Sequence, residues 1–261
     1  TSGLSVNFKK NFLITHFFNP PRYLKLLEVV RSNELNNDIF NKVKSYCDIN
    51  LGKTVIETKD TAGFIGNRIG IFWIERSATE AINLKLTVEE ADLIIKNIFN
   101  VPKTGVFGLI DVVGLDLLPL VVNSLLKNIP KNDYYKKVHK IPEIFIYMLE
   151  NKFIGRKGSG GFYKLHKDKN TKVKYSFNLE TKNYSISSKP SIQNIELIRN
   201  NLKDFLLKEN KYSKYAFIVL SEILYYVLKI TEEISYNIID IDEAMKNGFG
   251  WKYGPFEIID K

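Results

Sequence analysis

Short apolar runs separated by proline and glycine dominate the first sixty residues. Residues 11–18 are apolar and β-rich, and a Pro-Pro pair stops them because proline lacks the N–H that a strand uses. Residues 23–30 form a second apolar run, residues 34–50 carry apolar groups at helical spacing, and residues 53–57 read as a further strand. Strand, helix and strand in this order predict an α/β layer, of which we expect only the last part to be present.

From residue 60 the pattern becomes helical. Residues 64–84 have apolar groups at helical spacing and no proline, and Thr87 with Glu90 forms a capping box that opens a helix over 88–98. Two further helical stretches are predicted, at 115–128 and 140–151. The pattern thus favours a mainly α chain behind an α/β start.

The region after residue 155 is different in composition. Residues 155–161 form a glycine-rich basic turn, and residues 164–190 are polar and poor in large aliphatic groups. We interpret this polar stretch as a linker that carries a hairpin around Tyr175 and Tyr184. Helical periodicity returns at 191 and continues through 246.

The sequence contains an internal repeat. Residues 96–99 recur at 246–249, each time four residues after an aspartate, and residues 103–111 recur at 252–260 with the spacing changed by one residue. Shared Gly, Phe and Asp positions indicate two helical units of one kind.

Composition narrows the class of protein. Hydrophobic residues make up 44% and charged residues 26%, as in ordinary globular chains. The single cysteine, Cys47, excludes an internal disulfide and a multi-cysteine metal site, and we expect no metal. No apolar run reaches a membrane span and no signal peptide is visible, so a cytoplasmic or mitochondrial-matrix location is expected.

The net charge of +9 suggests polyanionic partners such as phosphate-bearing cofactors. A Lys-rich coding bias explains the charge equally well. Because no nucleic-acid-binding signature is present, we expect no nucleic-acid partner.

His16 and Glu28 are the first candidates for chemistry. They lie on adjacent runs joined by a proline turn, so antiparallel pairing would bring them together. Histidine exchanges protons near neutral pH, and a carboxylate can fix its tautomer. The alternative is a structural histidine beside a surface glutamate, but Glu28 is embedded in an apolar run where an unpaired carboxylate is costly.

Residues 60–68 are the second candidate. Asp60 or Thr61 could cap the helix that follows, and Asn67 would place an amide in its first turns. An ordinary helix start with a buried asparagine is the alternative explanation.

Three motifs in these regions resemble the 3-hydroxyacyl-CoA dehydrogenase family. His16-Phe17-Phe18-Asn19-Pro20, with the Lys25–Val29 run behind it, is similar to that family's catalytic segment. Residues 60–68 resemble its D-T-P-G-F-I-x-N-R signature, with Ala62 in place of proline, and residues 155–163 resemble its G-[RK]-K-x-G-x-G-F-Y ending. The resemblance covers 1–165 closely and 191–261 weakly.

The resemblance implies NAD-dependent oxidation of a (S)-3-hydroxyacyl-CoA to a 3-oxoacyl-CoA, as in fatty-acid β-oxidation. It implies that His16 is the general base, that Glu28 orients it, and that Asn67 hydrogen-bonds at the reacting oxygen or to His16. Ser2 corresponds to a serine near the substrate hydroxyl. Asn19 and Lys157 correspond to positions that approach NAD.

One family feature is missing from the sequence: there is no G-x-G-x-x-G after a strand. The resemblance places the rest of the NAD-binding domain upstream, so we expect Thr1 to begin a fragment that is inactive alone and partners with that missing domain. The expected fold is the C-terminal strands of a Rossmann-like α/β domain followed by two 6-phosphogluconate-dehydrogenase-C-terminal-like helical domains. The expected divisions are 1–59, 60–165, the linker 166–190, and 191–261.

The second repeat is expected to pair with the first within the chain, about a pseudo-two-fold axis. In the short family members a second subunit covers the equivalent face. The groups expected at this contact are Phe249, Trp251, Phe256, Ile258 and Ile259 on the second copy and Phe99, Phe107, Leu109 and Ile110 on the first.

Two other functions stay open. The chain could be a non-catalytic acyl-CoA-binding or assembly module derived from the same fold. It could also be another reductase on this helical fold, although such a protein would lack the His16–Glu28 pair.

Overall fold

The structure is a computed structural model that describes residues 3–101, 104–167 and 171–261. Helices occupy about half of these residues, and the strands are few. The described chain divides into two compact units. The first combines the residues up to Gly70 with Tyr226–Lys261, and the second is Ile71–Tyr225.

The first unit is built on a three-stranded sheet of order β1–β2–β3. Short helix α1 precedes this sheet, and the chain then forms α2 and enters α3. The bounds are α1 (Val6–Lys9), β1 (Leu13–Phe17), β2 (Leu26–Arg31), α2 (Asn37–Ile49), β3 (Thr54–Glu57) and α3 (Gly66–Asn83). β1 pairs with β2 antiparallel, and β2 pairs with β3 parallel, which confirms the predicted strand–helix–strand order.

Central strand β2 is buried at every position except Arg31, so its alternate residues face two covered sides of the sheet. Leu27 and Val29 pack with Phe40 and Cys47 of α2 on one side. Leu26 points to the opposite side.

Helix α12, near the end of the chain, covers that opposite side. The last three helices of the chain are α11 (Lys211–Ile234), α12 (Ile238–Phe249) and α13 (Pro255–Ile259). A Cβ on Gly248 of α12 would lie 2.7 Å from Leu26 Cδ2, so only glycine permits this approach. The Phe249 ring packs edge-on against Phe18 at 5.7 Å. The second repeat therefore covers the sheet that carries β1 and β2.

The second unit is mainly helical. Its described residues contain most of α3 and the start of α11, with seven further helices between them. These are α4 (Val88–Ile98), α5 (Val106–Val113), α6 (Leu118–Asn128), α7 (Tyr134–Val138), α8 (Glu143–Glu150), α9 (Leu197–Asn200) and α10 (Leu202–Leu206). Its core is rich in aromatic rings, such as Phe162, which contacts Phe107 at 4.6 Å and Phe145 at 5.5 Å.

The segment 166–190, expected to be a linker, instead carries most of a second sheet. Strands β4 (Tyr163–Lys167), β5 (Lys172–Phe177) and β6 (Tyr184–Ile186) pair antiparallel in this order. Phe177 is buried and packs against Tyr184 at 5.3 Å, which anchors one side of the sheet. The predicted hairpin around Tyr175 and Tyr184 is confirmed by the β5–β6 pairing, which sets Tyr184 opposite Phe177. Strand β4 was not predicted, because most of the other side chains here face solvent and the segment has the composition of a linker.

The two sequence repeats adopt one local structure, each within its own unit. Asp92 of α4 accepts hydrogen bonds from the backbone N–H of Phe107 and of the next residue, at 2.7 and 3.0 Å. Asp242 of α12 does the same with Phe256 and the next residue, at 2.8 and 3.2 Å. In both copies an aspartate on the longer helix caps the short helix that follows.

The final region 191–246 is helical but interrupted. Two short helices, α9 and α10, precede the long α11 and α12, so the helical periodicity predicted for this region is confirmed and is divided among four helices. Among the described residues no single helix is long and apolar enough to cross a membrane. The α5–α6 pair passes that test jointly but is bent by 96°.

Candidate active site

The register of β1 and β2 brings His16 and Glu28 together. The two residues are direct partners in the antiparallel pairing, so their side chains project from the same side of the sheet. His16 Nδ1 lies 2.7 Å from Glu28 Oε2. The predicted contact is therefore present, and it arises from strand pairing across the proline turn.

Glu28 is fully buried, and both of its carboxylate oxygens take part in hydrogen bonds. Its Oε1 accepts hydrogen bonds from the backbone N–H groups of Ile65 and Gly66, at 2.9 and 2.8 Å. These two donors lie at the start of α3, where unpaired N–H groups and the helix dipole favour a negative charge. Three hydrogen bonds thus stabilise the ionised carboxylate inside the protein.

The start of α3 departs from one sequence expectation. Asp60 and Thr61 were candidates to cap this helix, whereas a carboxylate from β2 accepts the N–H groups at its start. The backbone is shaped for this contact by left-handed conformations at Gly63 (φ +77°) and Phe64 (φ +48°). The sequence carried no signal for these donors because a backbone N–H is present in nearly every residue.

Aromatic rings enclose the imidazole of His16. Phe18 lies edge-on at 5.1 Å and Phe64 lies at 5.6 Å between ring centroids. A Cβ on Gly66 would fall 2.3 Å from Phe18 Cζ, so glycine at this position lets the helix start close to the ring. The His16 side chain keeps 32% of its surface exposed, which leaves it accessible to a reactant.

This arrangement fixes the role of each imidazole nitrogen. Ionised Glu28 can only accept hydrogen bonds, so Nδ1 of His16 must donate to it. Nε2 of the neutral ring then carries the lone pair. The pair is therefore equipped to remove a proton at Nε2, while the buried carboxylate stabilises the resulting imidazolium.

Asn67 and Arg68 continue the same first turn of α3. Asn67 is half-buried and directly follows Gly66, one of the two donors to Glu28. Arg68 is fully buried, donates to the Tyr226 hydroxyl at 2.6 Å and forms an ion pair with Glu233 at 3.2 Å. The structural role of Arg68 was missed from the sequence, because its partners lie about 160 residues away on α11.

The remaining predicted site residues lie in different places. Asn19 is exposed and follows the end of β1 by two residues. Lys157 belongs to the second unit, in the glycine-rich turn, and forms an ion pair with Asp116 at 2.8 Å. Ser2 lies outside the described residues. Among the residues that are described, no group of three or more His, Cys, Asp or Glu side chains is arranged to hold a metal.

Comparisons with known proteins agree with the motifs. Residues 3–61 match the family model of the NAD binding domain of 3-hydroxyacyl-CoA dehydrogenase, and residues 63–165 and 218–261 match that of its C-terminal domain. The chain therefore belongs to the 3-hydroxyacyl-CoA dehydrogenase family.

Individual relatives extend over nearly the whole chain. A Rickettsia felis protein that carries the name of a fatty acid oxidation complex trifunctional enzyme is 40% identical over 98% of this chain and 35% of its own length. A Bacillus subtilis protein that carries the name of a 3-hydroxyacyl-CoA dehydrogenase is 34% identical over 100% of this chain and 34% of its own length. The chain thus spans about a third of the length of these relatives.

A solved structure supports the fold. The 3-hydroxybutyryl-CoA dehydrogenase of Escherichia coli superposes with a TM-score of 0.59, covering 92% of this chain and 61% of its own, at 17% sequence identity. At this identity the likeness shows a shared fold.

The described residues fit one part of an NAD site. His16 supplies a proton-handling group beside which a hydride acceptor could react. The β2–α2 connection, however, contains no glycine, its Asn36 side chain caps α2, and Asp38 places a negative charge in the first helical turn. This connection would repel a diphosphate, so within the described residues it offers no cradle for the dinucleotide phosphates.

Proposed function

We propose that this chain provides the proton-transfer site of an NAD-dependent 3-hydroxyacyl-CoA dehydrogenase, which converts a (S)-3-hydroxyacyl-CoA to a 3-oxoacyl-CoA in fatty-acid β-oxidation. The observation that carries the proposal is the 2.7 Å contact between His16 and Glu28, with Glu28 held by two N–H groups of α3. Membership of the family supports the reaction class.

The residues of this chain handle the proton. Nε2 of His16 takes the proton of the substrate's 3-hydroxyl group as the carbon–oxygen double bond forms. NAD, when bound, supplies the acceptor for the hydride that leaves the same carbon. Glu28 stabilises the imidazolium, and the Asn67 amide donates a hydrogen bond to the reacting oxygen or binds His16.

Three further residues complete the proposed site. Ser2 is assigned to the neighbourhood of the substrate hydroxyl by resemblance alone. Asn19 and Lys157 are assigned to the cofactor in the same way. Lys157 would have to exchange its ion pair with Asp116 for the cofactor phosphates, and both side chains are exposed enough to do so.

We also infer that the second repeat takes the supporting role that a partner subunit plays in the short family members. In the first unit, Arg68 bonds Tyr226 and pairs with Glu233 of α11. In the second unit, Arg76 of α3 pairs with Glu222 of α11 at 2.6 Å. Buried arginines on α3 therefore engage the second repeat of the same chain.

The test is NADH oxidation with acetoacetyl-CoA by the natural polypeptide that contains these residues. Turnover that requires both the acyl-CoA and NADH is the expected result. Binding of acyl-CoA without any NADH oxidation would overturn the proposal and favour the non-catalytic acyl-CoA-binding module.

A further inference from the structure

A basic cavity lies within the second unit, between α4, the start of α5, the glycine-rich turn and strands β4 and β5. Its volume is about 890 Å³, inside the range of about 300–1,000 Å³ that is usual for small-molecule sites. All of its lining residues fall between positions 89 and 190, so it belongs wholly to this unit. Among the described residues, six cationic side chains line it: Lys96, Arg156, Lys164, Lys167, Lys174 and Lys189.

Within the described part of the chain, these cations have no direct carboxylate partner, although the charges of Arg156 and Lys174 act on the Asp111 carboxylate from a distance. In the described ranges 3–101, 104–167 and 171–261, none of the six forms an ion pair, whereas the nearby Lys157 pairs with Asp116. Cations that converge on one cavity without counter-charges create a positive potential that attracts anions. A Lys-rich composition accounts for scattered surface lysines but does not explain this convergence.

The described wall of the cavity also holds three acidic residues, of which Asp92 and Asp111 are engaged elsewhere and Glu89 faces the cavity. Asp111 accepts from the backbone N–H groups of Phe162 and Tyr163, and Asp92 accepts from the Tyr163 hydroxyl as well as from the start of α5. Burial raises the pKa of Asp92 to about 7, so its negative charge is incomplete at neutral pH. Three carboxylates, one of them partly neutral, thus face six cations among the described residues, and the cavity keeps a net positive charge.

We propose that this cavity binds the phosphate groups of a nucleotide-sized ligand that carries at least two phosphates. Arginine and lysine are the side chains that proteins use for phosphate, through charge-assisted hydrogen bonds. Hydroxyl groups of Ser159, Ser187 and Ser188 line the same space and add neutral donors. Two sources share this chemistry, the adenosine end of coenzyme A and a free nucleotide such as ATP.

The test is calorimetric titration of the 261-residue chain with coenzyme A, dephospho-coenzyme A, ATP, pyrophosphate and adenosine, at about 0.15 M salt. Saturable binding of at least one phosphate-bearing compound, and none of adenosine, is expected. Tighter binding of coenzyme A than of dephospho-coenzyme A and ATP would identify its 3′-phosphate as the determinant. Equal or tighter binding of ATP would identify a free nucleotide. Failure of every phosphate compound to bind, or equal binding of adenosine, would overturn the proposal.

Variants locate the binding. Arg156→Gln with Lys174→Gln should raise the Kd at least about tenfold, because each removes a charged hydrogen-bond donor. The matched control, Lys203→Gln with Lys214→Gln, removes the same charge from exposed helical positions of the same unit and should leave the Kd unchanged. If the first pair fails to fold, Lys96→Gln with Lys189→Gln replaces it. Equal effects of site and control variants would overturn the proposal.

A chemical readout separates this cavity from the dehydrogenase site. Bound ligand should protect Lys96, Lys164 and Lys174 from amine-reactive labelling, while Lys203 and Lys214 stay reactive. Unprotected cavity lysines at saturating ligand would contradict the site even if the chain binds coenzyme A near His16. The proposal does not depend on the proposed dehydrogenase function, because neither measurement involves catalysis.

Discussion

At the scale of single residues, Glu28 sets the orientation and the tautomer of the His16 imidazole ring. Its two oxygens face different partners: Oε1 accepts from the start of α3 and Oε2 from His16. A carboxylate can accept on both sides, whereas an amide accepts on one side and donates on the other. This difference makes Glu28→Gln the sharpest probe of the dyad.

Glu28→Gln should reverse the histidine tautomer while preserving the fold. The amide oxygen can still accept from Ile65 and Gly66, but the amide nitrogen then donates to Nδ1 of His16, so the proton moves to Nε2. We expect kcat to fall on the order of 10²–10⁴-fold, the usual cost of losing a general base. Long-range ¹H–¹⁵N spectra of the histidine ring would report the tautomer. An unprotonated Nε2 in the variant would contradict this interpretation.

Buried Asp92 should make stability depend on pH. Its pKa in the folded chain is raised to about 7 by burial, and that of Asp111 is raised to about 6, against an ordinary value near 3.8. The folded state therefore holds protons that the unfolded state has released. The stabilisation is complete below about pH 4 and is lost as pH rises through about 7, with a slope of at most about 1.4 kcal/mol per pH unit for each group.

In the Asp92→Asn variant, the side chain at position 92 cannot ionise. The free energy of unfolding of this variant should therefore decline less between pH 4 and 7 than that of the wild type. The variant should also be less stable overall at pH 4, by about 1–3 kcal/mol, because Asp92 accepts from Phe107 and Gly108 through two different oxygens, and the amide nitrogen of asparagine cannot replace one of them as an acceptor. Urea unfolding at several pH values measures both effects. An unchanged slope in the variant would show that Asp92 is not the titrating group.

At the scale of elements, an aspartate and a glycine recur together in both repeats. Added Cβ atoms on Gly105 and Gly254 would each lie 2.3 Å from the Cα of the capping aspartate, Asp92 or Asp242. Both glycines have φ values near −75°, which other residues adopt freely. Space rather than backbone conformation therefore requires glycine at both positions.

Gly105→Ala and Gly254→Ala should each destabilise the chain by at least about 1–3 kcal/mol, since the clash is with backbone that cannot move aside cheaply. The control is Gly3→Ala, whose Cβ would have no atom within 4 Å and should change little. Denaturant midpoints measure the three variants. Wild-type stability in Gly105→Ala or Gly254→Ala would contradict the close packing of these glycines against the capping aspartates.

The sequence predicted the elements that have strong local signals. Thr87 and Glu90 form the predicted capping box, and the helix they open spans Val88–Ile98 as expected. The β5–β6 hairpin around Tyr175 and Tyr184 was predicted, but β4 was missed because only one side of this sheet is buried and its exposed lysines resemble a loop. Helix α5, Val106–Val113, was missed because a glycine and a buried aspartate interrupt its apolar pattern.

At the scale of the whole molecule, the candidate site combines what the sequence could show with what it could not. His16 and Glu28 were found because a proline turn joins their strands and a carboxylate inside an apolar run needs a partner. Other features of the site depend on contacts between distant segments. These are the hydrogen bonds that Ile65 and Gly66 donate to Glu28, and the bonding of Arg68 to residues of α11. Those contacts are set by packing, and no local pattern records them.

The second repeat contributes to the site through packing. α12 covers the side of the sheet that carries Leu26, and α11 supplies Tyr226 and Glu233 to Arg68 at the start of α3. The dyad is therefore supported by residues about 160 to 230 positions away in the same chain. Longer relatives of this family contain such a chain as about a third of their length.

The kinetic effect of removing His16 tests the central claim most directly. In the natural polypeptide that contains these residues, His16→Gln should lower kcat for acetoacetyl-CoA reduction by NADH on the order of 10²–10⁴-fold, with little change in KM. His166→Gln, which alters an exposed histidine on β4, is the matched control and should leave kcat unchanged. Near-normal turnover in His16→Gln, or an equal loss in His166→Gln, would contradict the assignment of His16 as the general base.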